Sequence, residues 1–182
     1  MEINFSHGNA LNLADQVFVF KRTLREAALK HNVCVTFMAK PVTDEPGSAM
    51  HIHQSIVDAK TGDNLFSKKD GSASKMFHSY IAGLQHYIPQ VMPMLAPNVN
   101  SYRRYLPGAD GNSPVNIEWG EDNRTVGLRV PLAPPVARRV ENRLPGSDTN
   151  PYLAMAANLL CGYLGIKNEL NPRKPVQGRV GE

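Results

Sequence analysis

"ARRVENRLPGSDTNPYLA", residues 137–154, contains a strand and a helix side by side, and the fold is decided there. Residues two apart in a strand share a face, so Arg139, Glu141 and Arg143 point one way while Val140, Asn142 and Leu144 alternate to the other. The Pro-Gly pair ends that alternation. Asn150 can then cap a helix, Pro151 suits its first turn, and the apolar run continues to Gly162 or Gly165, near the expected end. Burying charge is expensive unless each charge has a partner. Either Glu141 is there to hold the arginines, or all of them are there to hold something that is not protein.

Working outward, two further strands precede this one, "VNIEWG" (115–120) and "TVGLRVP" (125–131). Upstream, "SAMHIHQSIVD" (48–58) and the β-branched "VCVTFMA" (33–39) read as strands, and "EINF" opens the chain with the same alternation. Leu13, Val17, Phe20, Leu24 and Ala27 form one apolar stripe, which predicts a helix over 11–30. A second helix is expected over 73–91, ending before Pro93, with a long loop over 93–114. Strands joined by turns, with helices interspersed rather than strictly alternating, predict an α+β fold. A mainly antiparallel sheet carries the site and helices flank it.

The totals agree with one domain over residues 1–182: 42% of residues are hydrophobic and 20% charged. A formal charge of +4 suits an anionic ligand. The lysines are scattered rather than gathered in a stripe with aromatics, so nucleic acid is not an expected partner. The two cysteines, Cys34 and Cys161, lie far apart in apolar runs and are expected as reduced core thiols. No run is long and apolar enough to span a bilayer and no signal peptide is visible, so the expected location is cytoplasmic and no membrane is involved. The abrupt start at "MEINF" and the trailing "PVQGRVGE" suggest a piece of a longer protein.

Three strands present polar residues on one face. His51, His53 and Ser55 share a face, as do Arg139, Glu141 and Arg143, and as do Glu2 and Asn4. A glutamate and a histidine on neighbouring strands can bind a divalent cation together. Carboxylate oxygen suits Mg²⁺ or Mn²⁺, and imidazole is better tolerated by Mn²⁺. Arg124, Arg129, Arg139 and Arg143 lie close in sequence, with only Glu121, Asp122 and Glu141 as nearby acids, which leaves arginine charge for an anion. Metal plus arginines is equipment for phosphoryl transfer. Neither a GxxxxGK[ST] loop nor a GxGxxG turn is present, so an ATP site would be built on a sheet surface.

The ordered set "EINF", "TFMAKP", "GSAMHIHQS", "NSYRRYLPG", "DNRTVGLRVP" and "ARRVENRLPGSDTNPYLA" resembles the glutamine synthetase family across nearly the whole chain. The resemblance implies the C-terminal portion of that family's catalytic domain, with the smaller N-terminal domain absent. It implies that Glu2, His51 and Glu141 are metal ligands, and that Gly47, Arg104 and Arg143 hold the substrate glutamate. Arg124 and Arg129 would engage the transferred phosphate, and His53, Ser55 and Arg139 would lie near ATP. The implied reaction is an ATP-dependent ligation through γ-glutamyl phosphate to a γ-glutamyl amide, with two Mg²⁺ or Mn²⁺ ions in the full enzyme. The implied partners are glutamate, ATP and ammonia or an amine, in a ring-shaped homo-oligomer; the piece by itself is expected to be inactive.

Departures from the ammonia-using members lie at Pro46, Ala49, Val136 and above all in "LPGADGNSPV", where Asp110 replaces a flap glutamate in a segment about two residues longer. A reshaped flap suits a larger amine, so γ-glutamylputrescine or polyamine synthetase is the alternative specific activity. A non-catalytic homologue that kept only the fold is the other alternative.

Overall fold

A computed structural model describes residues 2–105 and 113–180. Four helices and four short strands follow in the order α1 (Ala10–Lys30), β1 (Ile52–Gln54), α2 (Lys75–Leu95), α3 (Val99–Tyr102), β2 (Trp119–Glu121), β3 (Leu128–Val130), β4 (Val140–Asn142) and α4 (Pro151–Lys167). The architecture is mixed α+β. The sheet order is β1-β4-β3-β2.

The sheet is not mainly antiparallel, as expected, but mixed. β4 runs antiparallel to both β1 and β3, whereas β2 and β3 are parallel. Parallel neighbours ordinarily need a long crossover. Here three-residue strands allow a short return, and asparagines fix it. Asn116 Oδ1 accepts from the backbone N–H of Glu118 and Gly127, and Asn123 Oδ1 accepts from Thr125 N–H and Oγ1.

One sheet face packs on the helices. Ile52, Gln54, Leu128, Val130, Val140 and Asn142 are buried there. Beneath them lie Phe77, Tyr80, Ile81, Leu84 and Ile88 of α2 and Ala154, Ala157 and Cys161 of α4. Buried positions of α4 recur at helical spacing (154, 157, 158, 161, 162, 165), which is why this face meets α2. Gly162 and Gly165 do not mark the end of the helix. They lie inside it and permit close approach. A Cβ on Gly165 would sit 2.1 Å from the Ser79 carbonyl oxygen and 2.5 Å from Gly83 Cα, and one on Gly162 would strike the Tyr80 ring.

A buried polar network braces β1 and β4 against α4. The Tyr80 hydroxyl donates to Gln54 Oε1 (2.5 Å), Gln54 Nε2 donates to Asn158 Oδ1 (3.0 Å), and Asn142 Nδ2 donates to the same oxygen (2.7 Å).

Other expectations change as well. α2 continues through Pro89 and Pro93 instead of stopping before Pro93, and α3 occupies part of the expected 93–114 loop. The prolines are four residues apart and both exposed, so their rings stay off the helix face that packs in the core. "VCVTFMA" and "EINF" form no strands: residues 33–39 pair with no strand among the described residues, and Phe5 packs its ring edge-on against Phe20 of α1. β-propensity needs a partner to be realised. Cys161 is buried as expected, but Cys34 is exposed. No helix among the described residues is long and apolar enough to cross a membrane.

Candidate active site

With one sheet face packed on the helices, the other carries His53, Glu141 and Arg129. The register places His53 opposite Glu141 and Glu141 opposite Arg129, a row across β1, β4 and β3. Directly opposite residues share a face. His51 and Arg143, two residues along from His53 and Glu141, point the same way and reach Glu141, so the alternation read from the sequence holds in three dimensions.

Glu141 is the centre of this face, and its residue is only 2% exposed. Its Oε1 contacts His51 Nδ1 at 3.2 Å and accepts from Arg143 Nη1 at 2.9 Å, while Oε2 accepts from Arg129 Nη1 at 2.8 Å. Burial alone pushes the Glu141 carboxyl up. Hydrogen bonds from His51 and Arg129 and the charge of Arg143 outweigh it and hold the group well below the usual carboxylate range. Glu141 is therefore ionised at neutral pH.

His53 behaves differently. Burial, helped by the neighbouring arginines and opposed by Glu141, pushes its imidazole below the ordinary histidine value. Arg139 Nε donates to His53 Nδ1 at 3.2 Å, which assigns the imidazole proton to Nε2. Arg139 also donates from Nη1 to the Ala137 carbonyl.

Arg129 is shared between two acids, reaching Asp122 as well as Glu141. Three guanidinium groups (Arg129, Arg139, Arg143) thus face two carboxylates (Asp122, Glu141) across a neutral His53. Among the described residues this face therefore carries more guanidinium groups than carboxylates.

A divalent cation fits as follows. Neighbouring ligands of an octahedral ion bound at about 2.1 Å lie about 3 Å apart. The 3.2 Å between His51 Nδ1 and Glu141 Oε1 meets that spacing, and the donor types suit Mg²⁺ or Mn²⁺. No cluster of three or more His, Cys, Asp or Glu gathers among the described residues. Glu2 is exposed in the segment before α1.

The other expected site residues are placed in different ways. Gly47 and Arg104 are brought together: a Cβ on Gly47 would lie 2.8 Å from Arg104 Cγ and 3.0 Å from the Ala39 carbonyl oxygen. Arg104, 1% exposed, donates from Nη1 to the Leu144 carbonyl and lies over the Tyr105 ring. Ser55 is exposed just beyond β1. Arg124 is exposed in the β2–β3 turn and makes no hydrogen bond or ion pair among the described residues. Asp110 lies outside the described residues. In the sequence Asp122 is only an acid near the arginines; its place beside Arg129 follows from strand pairing that spacing alone does not give.

The sequence profile described as glutamine synthetase, catalytic domain, matches residues 1–182. A glutamate–isopropylamine ligase from a Pseudomonas species is 41% identical over 183 residues, covering 98% of this chain and 39% of that protein. The γ-glutamylputrescine synthetase of Escherichia coli strain K12 is 44% identical over 179 residues, covering 97% of this chain and 37% of the relative. A glutamine synthetase from a Nostoc species is 38% identical over 184 residues, covering 100% of this chain and 38% of the relative. The chain therefore spans under two-fifths of the length of these curated relatives.

Proposed function

Because the chain belongs to the glutamine synthetase catalytic-domain family, we propose that the complete protein is an ATP-dependent ligase joining glutamate to ammonia or an alkyl amine. The observation that carries this reading is the ionised Glu141, held between His51, Arg129 and Arg143 on the open sheet face. In the first step the γ-carboxylate oxygen of glutamate takes the terminal phosphoryl group of ATP, and ADP leaves. In the second step the amine nitrogen bonds to the acyl carbon, phosphate leaves and the nitrogen gives up a proton.

Each residue then has a role. His51 and Glu141 hold a cation, with Glu2 as a further ligand; when bound, Mg²⁺ or Mn²⁺ neutralises the crowded phosphate and carboxylate oxygens. Arg129 and Arg124 offer N–H donors where charge grows on the moving phosphoryl group. Arg143 and Arg104, with Gly47, receive the glutamate. Arg139, His53 and Ser55 face the nucleotide, and Arg139 keeps His53 in one tautomer. Asp110 approaches the amine. On the family ground, the complete protein is also proposed to be a ring-shaped homo-oligomer of the cytoplasm.

An alkyl-amine acceptor such as putrescine is the second reading. The longer segment around Asp110 supports it, as do identities of 41 and 44% to two relatives named for alkyl amines. The test is phosphate release by the complete protein with glutamate, ATP, Mg²⁺ or Mn²⁺, and ammonia, isopropylamine or putrescine in turn. Release is expected only when all components are present, and the amine giving the highest kcat/KM identifies the acceptor. No release with any amine would support a non-catalytic homologue instead, and full activity in a Glu141→Ala variant would refute the role given to Glu141.

A further inference from the structure

We propose that Asp122 is a positioning residue that aims Arg129 at the transferred phosphoryl group. This rests on the ligase reading above, and it concerns a residue to which that reading gives no role.

Arg129 Nε and Nη2 both donate to Asp122 Oδ1, at 3.2 and 2.5 Å, while Nη1 donates to Glu141 Oε2 at 2.8 Å. A long flexible side chain held by Nη1 alone could pivot about that bond. A second anchor on the opposite side of the guanidinium fixes its plane. Asp122 is itself fixed by the strand that carries Arg129, since its backbone N–H donates to the carbonyl of Val130 at 2.9 Å. Its φ of +45° lies in the left-handed region, which aspartate and asparagine tolerate better than most residues. The β2–β3 pairing, Asp122 and Arg129 thus form a closed frame.

The frame leaves specific donors open. Arginine has five N–H groups. The bonds to Asp122 and Glu141 use Nε–H and one N–H on each terminal nitrogen. One N–H remains on Nη1 and one on Nη2, and this paired edge can meet two oxygens of a phosphoryl group. Asp122 decides where that edge faces without touching the substrate.

The test compares Asp122→Ala and Asp122→Asn in the complete protein by steady-state phosphate release and thermal unfolding. Loss of an outer partner of a functional group ordinarily costs about ten- to hundredfold. We expect kcat of D122A to fall by that amount, with KM for glutamate and ATP within about twofold. D122N keeps an acceptor oxygen and suits the backbone, so its kcat should lie between D122A and wild type. A kcat for D122A within about twofold of wild type, or a rise in KM at unchanged kcat, overturns the proposal. If D122A does not fold, D122N decides by itself: reduced kcat at unchanged KM supports the role, and wild-type kcat refutes it. Wild-type protein that releases no phosphate refutes the ligase reading, and this proposal with it.

Discussion

Asn158 is the residue whose loss should separate the site-bearing strands from their support. Its Oδ1 accepts from Gln54 Nε2 at 3.0 Å and from Asn142 Nδ2 at 2.7 Å, linking β1 and β4 to α4, and the residue is 1% exposed. Asn158→Ala leaves both donors facing apolar surroundings. A buried donor left without its acceptor costs about 1–3 kcal/mol. Gln54 recovers part of this through a long contact to the Ile52 carbonyl at 3.4 Å; Asn142 Nδ2 has no such second acceptor in the network. The Asn158 Nδ2 bond to the Ala154 carbonyl also goes, but that oxygen stays within the helix. The sum is a loss of about 2–4 kcal/mol, or a fall in Tm of roughly 5–15 °C for a domain of this size.

Urea unfolding followed by circular dichroism measures the first figure and calorimetry the second. Asn142→Ala and the Asn142→Ala/Asn158→Ala pair complete a cycle. The double variant should lose less than the sum of the singles, by about 0.5–3 kcal/mol, because the two residues share one bond. An Asn158→Ala loss below about 0.5 kcal/mol, the level of an ordinary surface change, would refute the bracing role.

Two further outcomes follow from packing and burial. Gly165→Ala gains about 1 kcal/mol of helix propensity, but its Cβ meets the backbone of Ser79 and Gly83, which cannot yield as a side-chain tip can. Overpacking costs about 1–3 kcal/mol or more, so its Tm should fall; Gly8→Ala, with nothing within 4 Å of its Cβ, should leave Tm near wild type, and a raised Tm for Gly165→Ala would contradict the close α2–α4 approach. Burial pushes the Cys161 thiol up to about 11, so at pH 8 iodoacetamide should label exposed Cys34 and reach Cys161 only after denaturation, as peptide mapping would show. Because the folded thiol holds its proton more tightly than the unfolded one, its contribution to stability is complete below about pH 8.5 and is lost as pH rises toward 11; equal labelling of both cysteines in native protein would refute the burial.

Sequence by itself determined what is local or periodic. The stripe from Leu13 to Ala27 gave α1 to within a residue, and Asn150-Pro151 gave the start of α4, because caps and helical faces are set by neighbours in the chain. Alternation in "HIHQS" and "ARRVENRL" put His51, His53, Glu141 and Arg143 on common faces, since strand period does not depend on the partner. The tertiary structure decided everything that required a partner. "VCVTFMA" has strand propensity and no paired strand among the described residues, α2 runs through two prolines because its other face is buried, and glycines that looked like helix ends are contact points between helices. The buried charges are partnered at the same level: Glu141 holds Arg129, Arg143 and His51, while Asp122 takes part of Arg129. That division depends on which strands are adjacent and in what register, and registry is fixed by the packed core, which no local spacing records.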